Sequence, residues 1–159
     1  MYILRTPMAT SEGDAFFMAE ALKEARRGFA LGEVPIGCVI TKDEKIIARA
    51  ANERATKANA LCHAEITAID QACKYIKDWR LEDCRLYVTI EPCPMCAGAI
   101  IQARIPTVIY GAKNPKAGSA GSILNILQEP RFNHQSEILC GVLEDECADI
   151  MKEFFLQFR

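Results

Sequence analysis

No apolar run in the chain approaches the roughly 20 residues of a membrane-spanning helix, so no bilayer crossing is expected. The stretch Met1 to Gly13 holds neither a long apolar core nor a cleavage-like site, so no secretory signal is expected either. Charge of one sign is also lacking. Lys and Arg total 19 against 21 Asp and Glu, a net charge of −2. That balance provides no global attraction to nucleic acid, and any RNA binding would need a local basic patch. Histidine is scarce, with only two residues, His63 and His134. There are no internal repeats and no low-complexity linker, so residues 1–159 are expected to form a single domain.

What is present is half hydrophobic and includes eight cysteines. An even count could mean disulfides. Without a secretory signal the reading is a reducing cytoplasm, in which most of these residues are small core side chains.

The order of elements follows from periodicity and punctuation. Ser11 with Asp14 reads as a helix start, Phe16, Ala19, Leu22, Ala25 and Phe29 as its core stripe, and Gly32 as its stop. Val34 to Thr41 and Lys45 to Ala50 read as an antiparallel hairpin turned by Lys42-Asp43-Glu44. Asn52 begins a polar loop through Asn59. A second helix is marked by Ile66, Ile69, Cys73 and Ile76, with His63 and Glu65 at its beginning. Arg85 to Ile90 is a third strand, followed by a helix from Pro94, a residue suited to the first helical position. Thr107 to Tyr110, a short helix around Ile123 to Leu127, a strand Glu137 to Gly141 and a helix Leu143 to Phe158 complete the chain. Alternating helices and strands predict an α/β fold, a three-layer α/β/α sandwich on a mixed five-stranded sheet.

Two short stretches carry the chemistry. Cys62-His63-Ala64-Glu65 offers an imidazole and a carboxylate two residues apart, and Glu91-Pro92-Cys93-Pro94-Met95-Cys96 offers two thiols at C-x-x-C spacing. Each opens a helix, where exposed N–H groups and the helix dipole favour thiolates. His63, Cys93 and Cys96 together suit Zn²⁺ and leave a fourth tetrahedral position for water. Glu65 is then free to take that water's proton and pass it on. A Cys-x-x-C motif alone could also be redox-active or half of a structural zinc site, and Cys62 could be a fourth ligand that closes the position. That second arrangement gives Glu65 no purpose. The combination of His-x-Glu with Pro-Cys-x-x-Cys is the known signature of zinc deaminases. A substrate would carry an exocyclic amine on an aromatic ring, as at cytosine C4, adenine C6 or guanine C2. A free-base guanine or cytosine deaminase and an inert zinc module that binds RNA are the alternatives.

The sequence resembles the cytidine deaminase-like superfamily, and within it the bacterial tRNA-specific adenosine deaminases, from about Glu12 to Arg159. The resemblance rests on Glu33-Val34-Pro35-Ile36-Gly37, Asn52, His63-Ala64-Glu65, Leu86 to Cys93, Met95 to Ala99 and Tyr110-Gly111-Ala112. It extends downstream to Gly118-Ser119-Ala120-Gly121-Ser122, Phe132-Asn133-His134, Gly141-Val142-Leu143 and Phe154-Phe155. It implies hydrolysis of the wobble adenosine of a tRNA anticodon to inosine, in an arginine tRNA with an ACG anticodon, by a homodimer. It also implies one Zn²⁺ per subunit on His63, Cys93 and Cys96, and proton transfer by Glu65. Asn52 would contact the nucleoside, Val34 and Ile90 would line the base pocket, and the Ala64 N–H and Pro92 carbonyl would orient the reacting groups. Lys113, Asn114, Lys116, Phe155 and Arg159 would meet the RNA. His134, in a polar loop beside Asn133, reads first as a hydrogen-bonded structural residue and second as a pocket or RNA-side candidate. Asn114 stands where the family usually has aspartate, and Leu156 where it usually has a basic residue. Asparagine can still bond to a sugar, but it removes a charge that repels phosphate.

Overall fold

The strand β3 (Cys84–Ile90) is buried along nearly its whole length and runs through the middle of the sheet, as a doubly covered strand should. The computed structural model describes residues 12–158. The helix start read at Ser11 and the RNA contact expected of Arg159 therefore lie outside the described residues. Around β3 the elements follow in the order α1 (Glu12–Ala30), β1 (Gly37–Lys42), β2 (Lys45–Ala51) and α2 (Ala64–Ile76). After β3 come α3 (Pro94–Gln102), β4 (Thr107–Ala112), β5 (Glu137–Cys140) and α4 (Glu144–Gln157).

The five strands form one sheet in the order β2-β1-β3-β4-β5. The β1–β2 hairpin turns at Asp43 and Glu44, both with positive φ, so β1 is antiparallel to β2 and also to β3. The run β3–β4–β5 is parallel, because α3 and then a long connection carry the chain back each time. The sheet is therefore mixed, as expected.

Alternation along the strands divides the core into two layers. Cys38, Ile40, Leu86, Val88 and Val108 face α2 and α3, packing with Ala64, Ala68, Ala72, Ala97 and Ile100. Val39, Tyr87 and Ile109 face the other way, against Met18, Leu22 and Ala25 of α1 and Cys147 and Ile150 of α4. This is the three-layer α/β/α arrangement. At Gly37 the strand presses on α1 so closely that a Cβ would collide with the Ala21 carbonyl and the Ala25 nitrogen, so only glycine fits. The start of α1 is tied to β3 by the Tyr87 hydroxyl, which donates to Asp14 Oδ1 at 2.8 Å. Burial and that bond push the Tyr87 phenol well above its usual range.

Several local expectations shift. Phe16 is exposed: six residues from Leu22 is about 600° of helix, which places it some 120° off the buried face. The core stripe of α1 is Met18, Ala21, Leu22 and Ala25. On α2 the fully buried residues are Ala64, Glu65, Ala68 and Ala72, with Ile69, Cys73 and Ile76 flanking them. Alanines let the helix sit close to the sheet. The helix expected around Ile123 to Leu127 is only a 3₁₀ turn, Ile126–Gln128. Past the C-terminal end of α2, Trp79 lies exposed beside two guanidinium groups, with Arg80 and Arg104 at 5.4 and 5.6 Å from its ring centroid. No described helix is long and apolar enough to cross a membrane.

Candidate active site

The N-termini of α2 and α3 point into one pocket, and the residue just before each helix offers an atom that could ligate a metal. His63 and Cys93 are the two N-cap residues, both in extended backbone. Neither side chain caps its own helix, so imidazole and thiol are free to turn towards each other. Pro94 begins α3, and Cys96 follows one turn in.

The two sulfurs converge on one ring nitrogen. His63 Nδ1 lies 3.6 Å from Cys93 Sγ and 3.5 Å from Cys96 Sγ. All three atoms lie within 4.8 Å of one another. With Zn–S near 2.3 Å and Zn–N near 2.05 Å, a tetrahedral ion places nitrogen and sulfur about 3.6 Å apart. The donor set therefore fits zinc in both spacing and chemistry. Cys62 does not belong to this cluster, which among the described residues contains only the three.

Glu65 stands in the first turn of α2, buried beside this set at 4 % exposure. Burial raises its carboxyl, while its own backbone N–H and the Cys96 thiol act in the opposite direction. The cysteines share a proton unequally. The hydrogen bond from Cys96 holds the Cys93 thiol down at about 5, and the same bond together with burial pushes Cys96 far up. A divalent cation held between them would relieve both thiols of the proton.

The pocket is a cavity of about 100 Å³. Its walls include Val34, Asn52, Ala64, Glu65 and Ile90 with His63 and Cys93. Asn52 is 6 % exposed. Its side chain donates to the Val34 carbonyl at 3.3 Å and accepts from the Arg54 N–H at 3.1 Å. The Pro92 carbonyl accepts the Ser119 N–H at 2.9 Å, so one of its two lone pairs is already engaged.

The residues expected to meet RNA are dispersed. Asn114 reaches the pocket wall, and Lys113 and Lys116 flank it, exposed. Phe155 lies on α4, is not among the residues of the pocket wall, and stands edge-on to Phe154. His134 is not brought to the pocket. Its Nε2 sits 2.8 Å from the Ile105 carbonyl, just before β4 begins, whereas the pocket lies at the other end of the sheet. Three wall residues have no role assigned from the sequence: Ile36 and Glu91, which stand in the quoted motifs, and Arg54. A charged residue closing an apolar strand was a usable signal for Glu91, and nothing in the pattern marked Arg54.

A family model described as MafB19-like deaminase matches residues 12–159. The tRNA-specific adenosine deaminase of Bacillus subtilis (strain 168) is 51 % identical over 146 residues, 92 % of this chain and 91 % of that protein. The chain belongs to the tRNA-specific adenosine deaminase family. Among solved structures, one of a tRNA:A34 deaminase, from a study of A-to-I editing at the wobble position, superposes with a TM-score of 0.82. It is 41 % identical, and the match covers 85 % of this chain and 98 % of that one. A guanine deaminase from Nitrosomonas europaea shares the fold at a TM-score of 0.77, with 19 % identity over 94 % of this chain and 86 % of that one. The α/β sandwich is thus common to deaminases of different bases. The cluster of His63, Cys93 and Cys96 is the part of this site that could hold a metal ion.

Proposed function

We propose that the protein hydrolyses the wobble adenosine of a tRNA anticodon to inosine, with release of ammonia. The observation that carries this reading is the convergence of His63, Cys93, Cys96 and Glu65 on one small pocket, in a chain 51 % identical to a tRNA-specific adenosine deaminase. His63, Cys93 and Cys96 would hold one Zn²⁺. When bound, the ion supplies Lewis-acid chemistry that makes water nucleophilic near neutral pH.

The chain's own residues account for the rest. Glu65 takes a proton from the attacking water and delivers it to the purine N1. It then takes the proton of the hydroxyl now on C6 and gives it to the exocyclic amine, which leaves as ammonia as the C6 carbonyl forms. Adenosine and water are thus converted to inosine and ammonia without net proton change in the protein. Proton handling of this kind contributes about 10²–10⁴-fold. The Ala64 N–H belongs to the first turn of α2, where N–H groups have no intrahelical acceptor, so it can donate to a substrate atom. Asn52 retains a free amide hydrogen and lone pair for the nucleoside. Val34 and Ile90 supply apolar walls for the base. The base must leave its stack to enter, at a cost of a few kcal/mol that is smaller in a loop than in a duplex.

Lys113, Asn114 and Lys116 at the rim, together with Phe155, His134 and Arg159, are the proposed RNA contacts, and the substrate is an arginine tRNA with an ACG anticodon. The working form is a cytoplasmic homodimer. Leu124 and Phe132, 46 % and 47 % exposed, line a groove of about 350 Å³, an apolar surface that supports association with a second copy.

The test is inosine formation on an ACG-anticodon arginine tRNA transcript, with guanine and cytosine assayed in parallel. Inosine at the wobble position, lost in Glu65→Ala while zinc is retained, is the expected result. Ammonia from a free base without inosine would overturn the substrate assignment.

A further inference from the structure

We propose that Glu91 is a positioning residue: its buried carboxylate fixes the segment 113–122 against the metal-binding turn and so sets the affinity for the RNA loop. The proposal rests on the function just given and assigns a part to a residue outside the reaction itself.

Glu91 directly follows β3, two residues before Cys93, and is 2 % exposed. Its N–H donates to the Ala112 carbonyl at 2.8 Å, which joins the ends of β3 and β4. Its carboxylate has four acceptor positions, and all four are used. Oε1 accepts the Asn114 N–H at 3.1 Å and the Ser122 hydroxyl. Oε2 accepts the Ala120 and Ser122 N–H groups, each at 3.1 Å. The donors come from both ends of one segment, so a single side chain closes it into a loop.

The wrap around Glu91 is tight. A Cβ on Gly118 would collide with Glu91 Oε2 and with the Asn114 carbonyl. A second tie runs from the Ser119 N–H to the Pro92 carbonyl at 2.9 Å. The segment thus hangs on residues 91 and 92, immediately before Cys93. Its other side faces the substrate. Asn114 lines the pocket, and its side-chain oxygen accepts the Lys116 and Ala117 N–H groups at 3.2 and 3.1 Å. That turn leaves Lys113 and Lys116 exposed at the rim. One carboxylate therefore sets the distance between the reacting centre and the cations that receive the phosphates.

Glutamine at this position keeps the size and loses the function. It offers one oxygen, and its NH₂ confronts N–H groups that already need an acceptor. The segment must move, while Cys93 and Cys96 remain held by β3 and α3. Gly118→Ala disturbs the same contact from the loop side and leaves the carboxylate intact.

The experiment compares wild type, Glu91→Gln and Gly118→Ala on an ACG anticodon stem-loop, with zinc content and hydrogen exchange measured on the same preparations without RNA. Both variants should raise KM about tenfold or more, the scale of one lost charge-assisted hydrogen bond. They should change kcat by no more than about threefold, keep the zinc content of wild type, and exchange faster over 113–122. The double variant should be no worse than the weaker single one, because both break one contact. A fall in kcat at constant KM, loss of zinc, unchanged KM, or an effect in Glu91→Gln that Gly118→Ala does not share would each overturn the proposal. Should Glu91→Gln fail to fold, Gly118→Ala alone decides by the same readouts. If wild type makes no inosine, it is the function that fails, and the exchange of 113–122 in the variants still decides whether Glu91 holds the segment.

Discussion

Glu33 and Thr56 are joined across 23 residues of chain by a hydrogen bond of 2.8 Å from the Thr56 N–H to Glu33 Oε2. The Ala55 N–H donates to the other oxygen at 3.1 Å, and the carboxylate is 2 % exposed. Through it, the end of the α1 connection holds the loop that begins at Asn52. Burial alone would raise this carboxyl, but the bonds from Thr56 and Ala55 outweigh it and leave it below its usual value of 4.5.

A pH prediction follows from that sign. A carboxylate whose pKa is lower in the folded state stabilises the fold fully above the unfolded value, and the contribution is lost as pH falls through the folded one. Glu33→Gln should cost about 1–3 kcal/mol at pH 7, the cost of leaving a buried donor unpaired. Urea unfolding of both proteins at pH 7 and in the acid range should show the gap narrowing below pH 4.5. A gap of equal size at both pH values would mean that the loop does not read the charge.

The metal-binding set predicts a clean separation of stability from chemistry. Cys96→Ser removes a fully buried sulfur from the proposed ligand set, and zinc measured on the purified variant should drop to a small fraction of wild type. Chelation of wild type should lower its melting temperature, and added zinc should restore it. Glu65→Ala should melt like wild type in its response to chelator. A variant lacking Cys96 that kept full zinc would sink the proposed ligand set.

Salt dependence tests the rim cations. If Lys113 and Lys116 each neutralise one phosphate, replacing both by alanine should flatten the plot of log affinity against log salt by about 1.4, from a slope of about 0.7 per contact on single strands. Filter binding in the Glu65→Ala background would measure it without turnover. An unchanged slope would place the phosphate contacts elsewhere.

Association can be checked through the apolar groove. Leu124→Asp puts a charge on a surface that a second copy is proposed to cover, so light scattering after size exclusion should show a shift from dimer towards monomer. A dimer that tolerates the change would move the interface away from Leu124 and Phe132.

The grouping of His63, Cys93 and Cys96 was legible because spacing and helix starts are both local properties, and two local motifs suffice once each is placed at a helix tip. The sheet was legible for the same reason. The tight turn at Asp43-Glu44 required an antiparallel hairpin, and the helix after Cys93 required a parallel return. Phe16 misled because a large aromatic was weighed by its chemistry and not by its angle on the helix. Arg54 and Ile36 reach the pocket through the path of loops, which no periodicity encodes. His134 is the hydrogen-bonded loop histidine that its polar surroundings suggest, but its partner, the Ile105 carbonyl 29 residues away, is beyond any local pattern.

Trp79 is the only tryptophan in the chain, and it sits past the end of α2 opposite to His63. Light absorbed at the red edge therefore enters the molecule at a single point, 57 % exposed and beside two cations. Its emission is a local optical gauge of how firmly the ends of α2 and α3 are docked. Denaturation should shift that emission as the guanidinium groups leave the ring. Filling the pocket a helix length away should leave it nearly silent, so substrate titrations in this protein call for a label placed on the rim.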